Sequence, residues 1–270
     1  MLTSLQNPLV KFFRKLHQAK GRRAQGQFLL EGTHLIQEAL AAGYPLEIVC
    51  YTPAWEQAHP DLALVLGQRV ERVERVSEPV LEGMATTQHP DGVVAVAPQR
   101  PRSPDLAVEG VALVVETLQD PGNLGTVMRT AVAAGAEGLW LSADSVAPDH
   151  PKVLRASAGQ WFRLPLAVVD DLSVPLATWQ QLGVQVVATS SHATVDYWAV
   201  DFTRPTVIVL GNEGAGLSAA LQRQTTMQVR IPMAGAVESL NVGVAAALLL
   251  YEARRQRGGE GRGQVGGGGG

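Results

Sequence analysis

Four continuous apolar runs, Val111 to Glu116, Gly138 to Leu141, Val184 to Ala188 and Val207 to Leu210, are separated by stretches of helical period. A strand with one wet face alternates polar and apolar residues, whereas a strand covered on both faces does not. The runs therefore predict an α/β domain whose mostly parallel sheet carries helices on each side. Upstream, an amphipathic stretch near Pro8 to Ala19 and a second helix from about Gly32 to Ala42 accompany apolar runs at Leu46 to Tyr51 and Val93 to Ala97, the last following a His89-Pro-Asp-Gly92 turn. That pattern predicts a smaller α/β domain. Between the two, Pro98-Gln-Arg-Pro-Arg-Ser-Pro104-Asp has three prolines in seven residues, which favours an extended connector. The expected division is a domain over 1–98, a linker over 99–109, a domain over 110–257 and a tail over 258–270, with nine glycines in thirteen residues, that should be disordered.

Composition adds constraints. A chain of 270 residues with 46% hydrophobic content can fill cores of this size. No apolar stretch reaches bilayer length, and Met1 to Arg14 lacks a signal-peptide pattern, so a cytoplasmic protein without a membrane partner is expected. The single cysteine, Cys50, follows an apolar run and reads as a buried thiol. Six histidines are scattered without ligand spacing, so no metal is expected. Net charge is −3, yet residues 1–30 hold Lys11, Arg14, Lys15, Lys20, Arg22 and Arg23 and no acid. This is a candidate phosphate-contacting face, or a solvated helix face followed by a basic turn.

Three segments carry candidate chemistry. In Val207-Ile-Val-Leu-Gly211-Asn-Glu-Gly-Ala-Gly216-Leu-Ser218 a strand runs into a glycine-rich turn, where open α/β sheets bind ligands. The spacing nearly matches a phosphate loop, but Leu217 stands where the lysine must be and Glu213 adds a negative charge. The dinucleotide pattern fails too, so the turn suits a ligand neutral or cationic at its reactive end, such as S-adenosylmethionine; a turn needed only for close packing is the alternative. In Asp120-Pro-Gly-Asn123-Leu-Gly125-Thr-Val-Met-Arg129, Asn123 is the expected N-cap of a helix that Gly135 stops. Gly125 and Arg129 would share a helical face, with the guanidinium reading phosphate or ribose oxygens or pairing with a carboxylate. The third segment, Arg230 to Arg254, is a short extended piece, a loop and a long apolar helix for which Ser239 is the expected N-cap. Asn241, at the start of that helix, must find backbone or ligand partners. The small residues from Val242 to Ala247 suit either core or a subunit interface.

Taken together, these segments resemble the SpoU (TrmH-type) branch of the SPOUT RNA methyltransferases, which methylate ribose 2′-hydroxyls. The first motif, N-x-G-x-x-x-R, is Asn123, Gly125 and Arg129; the second is Leu210-Gly-Asn-Glu-Gly-Ala-Gly216; the third is Ile231-Pro-Met-Ala-Gly with Ser239-Leu-Asn241. Lys152 to Arg163 is similar to the family's segment between motifs. Ser4-Leu-Gln-Asn-Pro8-Leu-Val-Lys11 and Phe28-Leu-Leu-Glu31-Gly are similar to the substrate-binding domain of ribosomal-RNA members, itself like RNA-binding ribosomal proteins. The resemblance implies a deep trefoil knot, a homodimer whose active site takes residues from both subunits, and S-adenosylmethionine as cofactor. It implies cofactor contacts at Gly211, Ile231 and Leu240, with Leu210, Asn212, Glu213, Gly216, Met233 and Thr189 as further candidates. It assigns catalysis to Asn123, Arg129, Glu213, Ser239 and Asn241.

On this reading Arg129 is the family's base. Arginine holds its proton in almost any protein setting, so positioning the ribose and stabilising the developing alkoxide is the preferred role. Glu213 and Asn123 would orient the guanidinium, and Ser239 with Asn241 would fix the cofactor loop. Ribosomal RNA is the expected substrate, with transfer RNA the alternative. An RNA-binding protein without catalysis and a nucleotide-dependent enzyme on a doubly wound sheet are the rivals.

Overall fold

The computed structural model describes residues 1–99, 103, 105–235 and 239–258. Linker residues 100–102 and 104 and tail residues 259–270 lie outside them. The chain forms two compact units, Met1–Arg100 with Ala147–Arg163, and Pro101–Val146 with Leu164–Gly270.

In the first unit, helix α1 (Pro8–Leu16) starts on Asn7, whose side chain accepts from the Leu9 N–H at 2.8 Å. Leu9, Val10, Phe13 and Leu16 recur at helical spacing and are all buried, while Lys11, Arg14 and Lys15 stay outside. The stretch expected to run on to Ala19 instead breaks at His17 and resumes as α2 (Ala19–Gln25), closed by Gly26 at φ 63°. Then follow β1 (Gln27–Glu31), α3 (Thr33–Ala41), β2 (Ile48–Tyr51), α4 (Pro53–Ala58), α5 (Pro60–Arg69), β3 (Arg72–Arg75), α6 (Glu78–Met84) and β4 (Val93–Pro98). The sheet order is β1-β4-β2-β3, antiparallel except for the β2–β3 pair. Cys50 on β2 is buried, and burial pushes its thiol up to about 12, where it stays protonated.

The phosphate-contacting face expected of residues 1–30 loses one member. Arg22 is 1% exposed; its Nη1 donates to the carbonyls of Leu16 and His17, and its Nε lies 3.1 Å from Asp149 as an ion pair without hydrogen-bond geometry. Its place on the inward side of the short α2 forces the guanidinium into the core, where it needs these partners. Lys11, Arg14, Lys15, Lys20 and Arg23 remain exposed.

The second unit begins with β5 (Val111–Val115), α7 (Pro121–Ala134) and β6 (Leu139–Ser142). After β6 the chain crosses into the first unit as residues 147–163, including α8 (Pro151–Ala156), then returns as β7 (Leu166–Val169), α9 (Ser173–Gln181), β8 (Gln185–Thr189), β9 (Val195–Asp196) and β10 (Thr206–Leu210). The last elements are α10 (Ala219–Gln222), β11 (Met227–Arg230) and α11 (Val242–Arg257). The seven strands are parallel in the order β7-β6-β5-β10-β8-β11-β9. Every residue of β5, β6 and β10 is buried, as continuous apolar runs require; each large aliphatic side chain there contributes about 1.5–3 kcal/mol. The exposed positions of β7 and β9 fit their places at the sheet edges. Helix α11 packs along α7, and Gly243 allows it: a Cβ there would stand 3.0 Å from Thr126 Cγ2.

Within the first unit, segment 147–163 is tied by Arg155 to Glu31 at 3.1 Å and by Arg163 to Glu38, and its Leu154 and Phe162 join the core around Phe28 and Val49. His150 caps α8, its Nδ1 accepting from the Lys152 N–H. Burial, then the Arg22 and Arg155 cations, hold the His150 pKa below its ordinary value. A histidine kept neutral when folded contributes stability that is present above its unfolded pKa of about 6.5 and is lost as pH falls below it. Amide protection factors in 147–163, corrected for the intrinsic pH dependence of exchange, should therefore fall as pH is lowered from 7.5 to 5.5. In His150→Asn, which keeps a capping acceptor, that dependence should flatten; an unchanged slope would remove His150 from the account.

Candidate active site

The strand β10 ends at Leu210 and the chain turns back within six residues. Asn212 and Gly216 pair through their backbones, N to O at 3.0 and 2.9 Å, and Gly216 takes φ 68°. The Asn212 carboxamide braces the loop from inside: Oδ1 accepts from the N–H groups of Gly214 and Ala215, and Nδ2 donates to the Thr117 carbonyl at 2.8 Å. A Cβ on Gly211 would stand 2.3 Å from the Gly216 carbonyl carbon and 2.4 Å from the Leu217 nitrogen, so only glycine permits the closure. Leu217, where a phosphate loop carries lysine, is buried in the core between α9 and the sheet.

This loop forms one wall of a cavity of about 340 Å³. Thr189 at the end of β8, Leu210, Gly211, Asn212, Gly216, Ile231, Met233 and Leu240 all line it, as do Glu213 and Ser239. The described lining contains no lysine or arginine. Among the described lining, aliphatic walls, hydroxyl, amide and backbone polar groups, the His192 imidazole and the Glu213 carboxylate fit S-adenosylmethionine, which has a sulfonium cation and no phosphate to neutralise. Among the described residues no group of three His, Cys, Asp or Glu is arranged to hold a metal.

The three motifs meet through side-chain amides. Asn241 Nδ2 donates to Asn123 Oδ1 at 2.9 Å, and Asn123 Nδ2 donates to Glu213 Oε1 at 2.9 Å. Both helix starts differ from expectation. Asp120, not Asn123, caps α7, accepting from the Asn123 N–H at 2.9 Å with Pro121 in the first turn; the signal was present, since Asp before Pro-Gly satisfies both preferences. Asn241, not Ser239, caps α11, accepting from the Gly243 N–H at 2.9 Å. Capping by Asp120 leaves the Asn123 amide free to join the other motifs.

Arg129 stands apart. It is exposed on α7, does not line the cavity, and makes no hydrogen bond or ion pair among the described residues, so neither Asn123 nor Glu213 orients it within one chain. Gly125 stands one turn before it on α7, as expected, and is buried. Sequence reasoning missed Glu116, Thr117, Ser142, Asp144 and Ser145, which lace the loops after β5 and β6: the Thr117 N–H donates to Ser142 Oγ at 2.7 Å and the Leu118 N–H to Ser145 Oγ at 3.0 Å. No motif spacing marks such residues; their partners are distant in sequence.

Comparison with known proteins bears on both units. Residues 110–251 match the model of the SpoU rRNA methylase family, and residues 7–95 match an MRM3-like substrate-binding domain. The chain is 50% identical over 258 residues to an uncharacterised tRNA/rRNA methyltransferase of Synechocystis sp., covering 95% of this chain and 94% of the relative. It is 33% identical to the 23S rRNA (guanosine(2553)-2′-O)-methyltransferase RlmP of Bacillus subtilis, over 94% of this chain and 98% of the relative. The AdoMet-bound rRNA methyltransferase of Sinorhizobium meliloti superposes with a TM-score of 0.83 at 36% identity, covering 94% of this chain and 97% of that one.

Proposed function

Because the chain belongs to the SpoU rRNA methylase family, we propose that it is an S-adenosylmethionine-dependent RNA 2′-O-ribose methyltransferase acting on ribosomal RNA. The observation that carries this reading is the convergence of Thr189, Leu210, Gly211, Asn212, Gly216, Ile231, Met233 and Leu240 on one cavity whose described lining holds no lysine or arginine. When bound, the cofactor supplies an electrophilic methyl on sulfur. The protein's part is alignment and charge. Backbone groups of the loop and of Ile231 and Leu240 hold the cofactor, and Glu213 faces the cavity with its carboxylate tied to Asn123. The Asn241–Asn123–Glu213 series fixes the third motif against the second. Arg129 positions the ribose and stabilises the oxygen as it loses its proton.

Arg129 reaches a cavity by acting on the partner's copy in a homodimer. That it neither lines the cavity of its own chain nor bonds to the Asn241–Asn123–Glu213 series among the described residues supports this, as does the apolar surface of Trp198, Leu240, Val244 and Tyr251, which are 36–55% exposed. The knot belongs to the same reading, as does a cytoplasmic location, with no described helix long and apolar enough to cross a membrane. RNA is held by the exposed Lys11, Arg14, Lys15, Lys20 and Arg23 of the first unit, which carries the substrate-binding match.

The test is incubation with radiolabelled S-adenosylmethionine and either ribosomal or transfer RNA, followed by mapping of 2′-O-methyl stops to reverse transcription. Label in ribosomal RNA at ribose is expected. No incorporation, or label on transfer RNA alone, would overturn the assignment.

A further inference from the structure

The loop that walls the cavity is held from outside the three motifs, at two points side by side in the sequence. The Thr117 carbonyl accepts from Asn212 Nδ2 at 2.8 Å, and the Glu116 carboxylate accepts from the Ser218 N–H at 2.7 Å. Asn212 and Ser218 bracket the glycine turn, so the loop is anchored at both ends on the residues that directly follow β5.

Thr117 can do this only in an unfavourable conformation. Its φ is 54°, the left-handed region in which a β-branched residue is strained and in which, besides Thr117, only Ala158 lies among the described non-glycine residues. Such a residue persists where its surroundings over-determine it. Here the Thr117 N–H donates to Ser142 Oγ at 2.7 Å and its hydroxyl donates to Asp144 Oδ2 at 2.8 Å. The segment carrying Asp144 is itself fixed, with the Gln119 amide donating to the Asp144 carbonyl at 2.9 Å and the Val146 N–H to the Leu118 carbonyl at 2.7 Å. The hydroxyls of Ser142 and Thr117 also hold the Asp144 carboxyl below the usual range, so it is an anion that accepts, as the arrangement needs.

We infer that Glu116 and Thr117 are positioning residues for the cofactor loop and that Asp144, through the Thr117 hydroxyl, holds Thr117 in the conformation that aims its carbonyl at Asn212. Asn212 then shapes the cavity rather than reading the cofactor, since its amide hydrogen bonds run to Thr117, Gly214 and Ala215. The inference rests on the cofactor reading above, and adds to it the group that sets the loop's closed form.

The experiment measures binding of S-adenosylhomocysteine by calorimetry to the full-length chain, beside the KM for RNA. Thr117→Val keeps the shape and loses the donor, and Asp144→Ala removes the acceptor on an exposed residue without touching the core. Each should weaken cofactor binding about tenfold, as loss of a hydrogen bond to a charged group does, with the RNA KM unchanged. The double variant should be no weaker than Asp144→Ala alone, because Thr117→Val breaks a link that Asp144→Ala has already removed. Thr117→Ser should restore affinity to within about twofold, since the donor returns. Wild-type affinity in both Thr117→Val and Asp144→Ala, or a Thr117→Ser variant as weak as Thr117→Val, would overturn the inference while leaving the cofactor assignment intact. A wild-type protein that does not bind S-adenosylhomocysteine would overturn the assignment and the inference together.

Discussion

Replacing Arg129 by alanine is expected to lower methyl transfer by about 10²–10³-fold, the scale on which removing a preorganised donor from a developing oxyanion acts. Cofactor affinity should stay near wild type. The separation follows from position. Arg129 is exposed on α7, outside the cavity where the cofactor candidates converge, and no described side chain depends on it. Truncation therefore removes a charge without creating a cavity or stranding a buried partner. Arg129→Lys should recover little, because an ammonium keeps the charge but loses the planar fork that reads two oxygens at once. Single-turnover rates with prebound cofactor, beside calorimetric binding, check both halves. An alanine variant that still turns over at a tenth of the wild-type rate would take Arg129 out of the chemistry. If the dimer reading holds, mixing Arg129→Ala chains with chains defective only in the cofactor loop should restore activity in the heterodimer.

The second large effect is expected at Gly211. Gly211→Ala places a methyl group 2.3–2.5 Å from three backbone atoms of Gly216 and Leu217, none of which can rotate away. The paired backbones of Asn212 and Gly216 must then separate, and the wall of the cavity opens. Overpacking against fixed backbone lies at the upper end of about 1–3 kcal/mol, which as lost affinity is roughly a hundredfold. The loss should fall on cofactor binding while the parallel sheet keeps its fold, because β10 itself remains in register with β5 and β8. Calorimetry with S-adenosylhomocysteine and a thermal melt distinguish the two. Cofactor affinity within threefold of wild type would show that the loop does not need the closure the geometry gives it.

Much of the site is legible in the chain because each motif is local. The strand-to-turn passage at Leu210-Gly211, the missing lysine at Leu217 and the helix stop at Gly135 express requirements that neighbouring residues impose on one another. The apolar runs likewise announce β5, β6, β8 and β10, since burial on both faces leaves no room for alternation. Strand β11 is less visible. Met-Gln-Val-Arg has one fully buried residue in four, and the extended piece expected from Arg230 onward in fact ends there, with Pro232 beyond it.

Local rules failed where two candidates competed for one role. Asp120 and Asn123 are both good N-caps, as are Ser239 and Asn241, and capping preference alone does not rank them. Pro121 behind Asp120 ranks the first pair, and the structure ranks the second: Asn241 caps α11 through Oδ1 while its Nδ2 reaches Asn123, which in turn reaches Glu213. Arg22 shows the same limit. Its charge reads as a phosphate contact until Asp149, 127 positions away, is found beside it in the core. The sequence by itself determined the two α/β units, the family motifs and a glycine turn unsuited to phosphate, because hydrophobic period and backbone sterics act over a few residues. Only the tertiary structure decided which amides join the motifs, which arginine is buried, that residues 147–163 fold with the first unit, and that Thr117 anchors the loop. Those outcomes depend on groups brought together from distant parts of the chain, whose pairing no local preference encodes.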